Sequence, residues 1–190
     1  ILPLIAASNN ITGLSSESKT LVEKFNNIQK YTQIEPGQDF KGELRDYQHF
    51  GVNWLNFLYS NEFGGILADD MGLGKTVQTI AFCNQIKENG PVLVVGPTNV
   101  IYNWENEIAK FTPKSKSLIY TGPNRMDHIE DMHKHDFVVT SFGVLKNDIE
   151  LLSKFQYKAI FVDEAQNIKN PNTQISKAMK QLQSNFKLAM

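Results

Sequence analysis

The run Ala68-Asp69-Asp70-Met71-Gly72-Leu73-Gly74-Lys75-Thr76 brings two glycines, an ammonium group and a hydroxyl into one tight stretch. Gly72 and Gly74 let the backbone curl so that successive N–H groups face inward, a nest that suits phosphate oxygens. Lys75 supplies a full charge for the β/γ-phosphates of a nucleoside triphosphate, and Thr76 a hydroxyl ligand for Mg²⁺. Gly65-Ile66-Leu67-Ala68 reads as the strand feeding this run. The residues from Lys75 read as an amphipathic helix whose positive N-terminal end meets the same anion. The expected chemistry is binding of ATP with Mg²⁺, the cradle being Asp70, Met71, Gly72, Leu73, Gly74, Lys75 and Thr76. The strict spacing G-x-x-x-x-G-K-[ST] would want Gly where Asp69 stands, whereas the looser A-x-x-x-G-x-G-K-[ST] fits fully from Ala68. A glycine-rich turn before an ordinary helix is the alternative.

Phe161-Val162-Asp163-Glu164-Ala165-Gln166 is the second chemical feature, an apolar strand ending in consecutive carboxylates. Asp163 is placed to hold Mg²⁺, directly or through water, as the acidic partner of Thr76. Glu164 can orient and deprotonate a water that attacks the γ-phosphate. Lys75, Asp163 and Glu164 are therefore the candidate catalytic residues, provided that they converge on one pocket. His128, His133 and His135 stand in a polar stretch with Asp127, Glu130 and Asp131, but the chain has one cysteine, Cys83, and zinc spacings fail. That stretch reads as a solvated helix face.

The elements that must position these groups alternate. Strands are expected at Gly65–Ala68, Val92–Gly96, Ser117–Tyr120, Phe137–Thr140 and Ala159–Asp163, with helices near 75–88, 99–111, 124–133, 142–153 and 172–184. A helix from Leu44 carries Tyr47, Phe50, Trp54, Leu55 and Leu58 on its apolar face. Val- and Ile-rich strands separated by helices call for an α/β fold, a three-layer sandwich around a mainly parallel sheet. Loops at the carboxyl ends of its strands then gather the functional residues on one edge. Residues 1–42 are expected to form an accessory helical segment, with Leu21, Val22, Phe25 and Ile28 on one face, and a linker around Pro36-Gly37. Residues 43–190 are expected to form the main domain.

The chain has 190 residues, 41% of them hydrophobic and 21% charged, the balance of a soluble globular domain. Its net charge of −1 gives no bulk signal for a polyanion partner, so any such site must be local. The opening Ile1-Leu2-Pro3-Leu4-Ile5-Ala6-Ala7 is too short to span a membrane and lacks a charged flank. A lone cysteine suits a reducing compartment: cytoplasmic, nucleoid-associated in a bacterium or nuclear in a eukaryote.

Asp163-Glu164-Ala165-Gln166, followed by Asn167-Ile168-Lys169-Asn170, resembles the D-E-x-x box with trailing Lys-Asn of the Swi/Snf-type family of ATP-driven DNA translocases. The looser phosphate-loop spacing is the form found in its helicase superfamily, superfamily two. Leu44-Arg45-Asp46-Tyr47-Gln48, with Gly51-Val52-Asn53-Trp54-Leu55, resembles that family's element upstream of the loop, which implies that Gln48 reads the adenine edge. On the residues alone, the alternative for Gln48 is a polar side chain on an exposed helix face. Gly96-Pro97-Thr98-Asn99 through Trp104-Glu105-Asn106-Glu107 is similar to the next block, and Val138-Val139-Thr140-Ser141-Phe142 to a later one. The resemblance implies that Pro97, Thr98, Thr140 and Ser141 contact the DNA backbone, although each hydroxyl also suits a helix cap. Trp104 reads most simply as a core anchor.

The resemblance covers roughly Leu44 to Met190 and implies the first RecA-like lobe of a double-stranded DNA translocase. DNA would be held by its backbone, largely without regard to sequence. A second RecA-like lobe of the same polypeptide would supply arginine fingers, worth about 10³–10⁵ in rate. Two departures stand out. The family more often has His at Gln166, the residue expected to couple the box to the rest of the motor. Phe186–Met190 reads as the strand that leads into a Thr-Gly-Thr-Pro-like motif, and that motif is not in the sequence. These residues are therefore expected to bind nucleotide, with hydrolysis requiring the second lobe. An RNA helicase lobe of the same superfamily and a non-hydrolysing nucleotide-binding regulatory module are the alternatives. The first would differ in the Trp104 block and Lys169-Asn170. The second should have lost one of Lys75, Thr76, Asp163 and Glu164.

Overall fold

Six parallel strands form one sheet in the order β1-β8-β6-β2-β4-β3, with β1 and β3 at its two edges. These are β1 (Gly65–Ile66), β2 (Val92–Gly96), β3 (Ser117–Tyr120), β4 (Phe137–Ser141), β6 (Ala159–Val162) and β8 (Lys187–Ala189). The computed structural model describes residues 15–16, 18–20, 34–70, 72–86 and 90–190. The expected accessory helix falls almost wholly outside them, and Met71 also lies outside.

Side-chain alternation along the strands builds two cores, one on each face. Val92, Val94, Val139 and Phe161 join α1 (Asp46–Ser60), α2 (Lys75–Cys83) and α3 (Thr98–Phe111) on one side. Leu93, Val95, Val138 and Ile160 join α4 (Phe142–Leu152) and α5 (Gln174–Gln181) on the other. This is the three-layer α/β sandwich expected from the sequence. β2 is buried at every position because it lies in the middle, paired with β4 through Val92↔Phe137 and with β6 through Val92↔Ala159. α2 is buried from Val77 through Cys83, polar Gln78 and Thr79 included, because it is wedged between α1, α3 and the sheet. Tyr59, Phe82, Phe161 and Phe186 meet edge to face there, with Tyr59 and Phe82 centroids 5.7 Å apart and Phe161 and Phe186 6.0 Å apart.

Three expectations are corrected. The segment 124–133 is not an α-helix but two 3₁₀ turns, Arg125–His128 and Met132–Lys134. Its apolar residues Met126, Ile129 and Met132 recur every three positions, the 3₁₀ period, and only Met132 is fully buried. The helix near 172–184 stops at Gln181, because Gln183–Ser184 (β7) pairs in parallel with Gln156–Tyr157 (β5) in a separate two-stranded sheet. The strand ending at Asp163 stops at Val162, since Asp163 already turns into the loop that holds Glu164.

Among the described residues no His, Cys, Asp and Glu group is arranged to hold a metal by itself, and no helix is long and apolar enough to cross a membrane. The free thiol of Cys83 is buried, and that burial pushes its pKa up, leaving it inert.

The β3–β4 connection is tied down electrostatically. Arg125 Nε and Nη2 donate to the two carboxylate oxygens of Asp148 at 2.6 and 2.9 Å, and Nη1 donates to the Gly122 carbonyl at 2.9 Å. Asp148 sits at a non-helical kink within α4 (φ −110°, ψ 17°) and is 8% exposed. The guanidinium holds its carboxyl below the ordinary carboxylate range, and the Tyr120 phenol is pushed up to about 12, by burial first and then by Asp148. A depressed folded-state pKa means that this stabilisation is present at neutral pH and is lost as pH falls through the folded value. Asp148→Ala is expected to cost about 3 kcal/mol, because Arg125 loses its partner at a half-buried site. Thermal melts at pH 7 and in mild acid should show that penalty shrinking toward low pH.

Candidate nucleotide site

β1 delivers the chain into the glycine-rich loop, and α2 takes it away. Gly72 (φ +86°) and Gly74 (φ +77°) both occupy the left-handed region, so the loop needs glycine at each for its turn. Gly74 has a further reason: a Cβ there would stand 2.6 Å from Gln48 Nε2. Leu73 is exposed between them, and Asp70 is exposed at the start of the turn, its carbonyl accepting from Leu73 N at 3.4 Å. The Lys75 ammonium hydrogen-bonds to the loop carbonyls of Asp69 at 2.7 Å and Asp70 at 3.4 Å. It is thus held over the loop, with Thr76 following in the first turn of α2.

Gln48 is neither exposed nor free. It is 8% exposed, its Oε1 accepts from Arg45 N at 2.9 Å and its Nε2 donates to Leu73 O at 3.3 Å. It both caps α1 and braces the phosphate loop, which corrects the reading of Gln48 as a polar side chain on an exposed helix face.

The acidic box lies two strands away. Asp163 Oδ1 accepts from Glu164 N at 2.9 Å, and Oδ2 accepts from the Trp104 indole at 2.8 Å. Glu164 is held at φ 53°, a left-handed conformation uncommon for a side-chain-bearing residue. Asn167 Nδ2 fixes it by donating to its carbonyl at 2.8 Å, and the Gln166 amide donates to its carboxylate. Lys75, Asp163, Glu164 and Gln166 line one cleft of about 570 Å³, together with Asp69, Ala189 and Met190. β8 forms the floor between the two halves: Met190 N donates to Val162 O and Ala165 N to Met190 O, at 2.8 and 2.9 Å. The Thr79 hydroxyl of α2 reaches Met190 Sδ at 3.2 Å. The donor chemistry suits Mg²⁺, since Asp163 and Glu164 offer hard oxygens in the cleft, Thr76 follows Lys75 at the start of α2, and the one sulfur there, Met190 Sδ, accepts from Thr79.

The outer candidates are spread along the same carboxyl edge but differ in availability. Pro97 precedes α3, and Thr98, its first residue, is exposed. Thr140 is fully buried and donates its hydroxyl to Tyr120 O at 2.8 Å, so that hydroxyl is committed to strand β3 and is not presented at the surface. Ser141 accepts from Val144 N at 3.2 Å and so caps α4. Two supporting residues escaped the sequence reading. Gln78 of α2 is fully buried and donates to Asp69 Oδ2 at 3.0 Å, bracing the loop from beneath. Trp104 is buried like a core anchor but also touches Asp163. A Gln set between Val77 and the Ile80–Cys83 run was the one visible signal, and it concerned Gln78 alone.

Residues 47–190 match the SNF2-related domain. The chain belongs to the SNF2-related family. Over 84% of its length it resembles the Sulfolobus solfataricus SWI2/SNF2 ATPase core solved in complex with dsDNA, with a TM-score of 0.78 and 40% identity. It is 39% identical over 184 residues to Bacillus subtilis YwqA and 42% identical over 157 residues to CHR17, an ISWI chromatin-remodeling complex ATPase of Arabidopsis thaliana. Those matches cover 93% and 78% of this chain. The chain spans 20% and 15% of the length of those two relatives and 34% of the Sulfolobus core. It corresponds to a partial N-terminal RecA-like lobe.

Within this SNF2-related lobe the weakest-looking glycine is diagnostic. A Cβ at Gly51 of α1 would stand 1.7 Å from Gln78 Oε1. In an open helix, Gly→Ala stabilises by up to about 1 kcal/mol. Here the overlap should reverse the sign, so that Gly51→Ala destabilises by about 1–3 kcal/mol and weakens nucleotide binding as Gln78 is pushed off Asp69. Denaturant unfolding and nucleotide titration of the variant check both parts.

Proposed function

We propose that this chain is the ATP-binding lobe of a DNA-dependent ATPase that translocates on double-stranded DNA. The observation carrying this reading is that Lys75 and the Asp163–Glu164 pair line a single cleft. ATP would enter with its phosphates over the Gly72–Gly74 turn and the N-terminus of α2, where loop N–H groups and the helix dipole favour anions. Lys75 would leave the Asp69 and Asp70 carbonyls for the β/γ-phosphates, an exchange of neutral for charged acceptors that favours binding. Gln48, already against Leu73, stands where its amide can turn toward the base edge. Thr76 and Asp163 would hold Mg²⁺, which when bound neutralises phosphate charge. Glu164, fixed by Gln166 and Asn167, is the base that orients and deprotonates the attacking water.

Beyond the ammonium groups of Lys75 and Lys169, the cleft offers no guanidinium for the charge that develops on the γ-phosphate during hydrolysis. The chain contains two arginines, Arg45 and Arg125, and neither lines the cleft. Arg125 is engaged by Asp148. A second lobe of the same polypeptide is therefore proposed to bring arginine fingers to the γ-phosphate, worth about 10³–10⁵ in rate. DNA would lie across the carboxyl edge, its backbone meeting the exposed N-terminus of α3 at Pro97 and Thr98. Similarity to a core solved in complex with dsDNA and to a chromatin-remodeling complex ATPase favours duplex DNA over RNA as the track. A reducing compartment, cytoplasmic or nuclear, suits the buried lone thiol.

Lys75→Ala should weaken nucleotide binding about 100-fold, equivalent to roughly 3 kcal/mol. Glu164→Gln should preserve binding while lowering kcat of the full-length protein by about 10²–10⁴. Duplex DNA should stimulate that ATPase in a manner that weakens as salt rises. Stimulation by RNA and not by duplex DNA would point to the RNA helicase reading. Tight nucleotide binding with no turnover under any nucleic acid would point to the regulatory one.

A further inference from the structure

The Trp104–Asp163 hydrogen bond is the feature that the proposed mechanism does not use. It joins residues 59 apart in sequence at 2.8 Å, and Trp104 is fully buried. A buried indole N–H needs an acceptor. Here the acceptor is the carboxylate expected to hold Mg²⁺, so the bond is charge-assisted. Asp163 Oδ1 is taken by Glu164 N at 2.9 Å, so each oxygen has one protein donor and keeps lone pairs for the cleft. Gly96, at the end of β2, completes the arrangement: a Cβ there would stand 3.3 Å from Asp163 Cβ and 2.9 Å from Val100 Cγ2. Its lack of a side chain lets the carboxylate and the first turn of α3 pack closely.

We propose that Trp104 is a positioning residue for metal binding, its indole N–H fixing the Asp163 carboxylate plane so that the remaining lone pairs face the cleft. The inference rests on the nucleotide-site reading above. Without the indole donor, Asp163 keeps its charge but gains rotational freedom about its side chain, and that freedom must be lost each time the metal binds. Partners that orient a metal ligand typically account for 10–100-fold in metal affinity. Nucleotide phosphates contact the loop and Lys75 rather than Asp163, so their binding without metal does not depend on this bond.

The test replaces Trp104 with benzothienylalanine, in which sulfur stands for the N–H at nearly constant shape, and separately makes Trp104→Phe. Binding of a fluorescent ATP analogue to the full chain is measured in EDTA and then across a Mg²⁺ titration. The expected result for the isostere is an unchanged affinity in EDTA and a Mg²⁺ midpoint raised about tenfold. Trp104→Phe should raise the midpoint at least as far. An isostere whose Mg²⁺ midpoint matches that of the unaltered chain would overturn the inference, leaving Trp104 as packing alone. An equal loss of affinity in EDTA and in Mg²⁺ would overturn it too, because the defect would then be general. Failure of the unaltered chain to bind the analogue at all would instead sink the nucleotide-site reading, and this inference with it.

Discussion

Strand β8 lies between β1 and β6, and its insertion sets the width of the cleft on which the functional reading depends. Neighbouring strands in a sheet stand about 4.8 Å apart, so two spacings separate the end of β1 from the end of β6 by about 10 Å. That gap accommodates phosphates and a hydrated cation between an ammonium on one side and carboxylates on the other. The register is firm on both sides, with Leu188 opposite Gly65 and opposite Phe161. Met190, one residue past the strand, then bonds to Val162 and Ala165 and receives the Thr79 hydroxyl. The phosphate-loop helix and the acidic box are thereby tied to the same short segment.

Around that floor, the site is held by polar side chains that are themselves buried or committed. Gln48 and Gln78 brace the loop through Leu73 and Asp69. Trp104 and the Glu164 amide fix Asp163, while Gln166 and Asn167 fix Glu164. Such pre-positioning matters because oxygen ligands and bases that are already oriented need not be ordered when substrate arrives. The left-handed Glu164 is the strained element in this shell, and its two neighbours supply the bonds that hold it. Family membership and these contacts fit one another, although each rests on separate grounds: whole-domain similarity for the first, local geometry for the second.

The meeting of Lys75 with Asp163 and Glu164 in one cleft was legible in the sequence, because phosphate and metal binding would demand particular residue types at fixed spacing and the strand–loop–helix context of Lys75 could be read locally. The parallel sheet was legible for the same reason, in Val92–Gly96 and Ala159–Val162. Long-range pairings were not. Nothing in one sequence places Trp104 against Asp163, or β8 between β1 and β6, because such contacts leave no periodic trace. Two-residue strands such as β5 and β7 are too short to alternate. The 3₁₀ turns after β3 are hard to tell from an α-helix, since Met126, Ile129 and Met132 satisfy an i, i+3 pattern that both kinds of helix share. Thr140 illustrates the opposite error: a hydroxyl at a strand end can face its neighbouring strand as readily as a ligand.

The central claim is that the groups at 72–76 and 163–166 surround one bound nucleotide–metal complex. Amide resonances of the chain recorded with ATP and Mn²⁺, a paramagnetic stand-in for Mg²⁺, test this directly. Both segments should broaden together at the same low Mn²⁺ fraction, while exposed positions such as Lys114 and Glu150 stay sharp. Broadening confined to one segment, or to neither, would contradict the account.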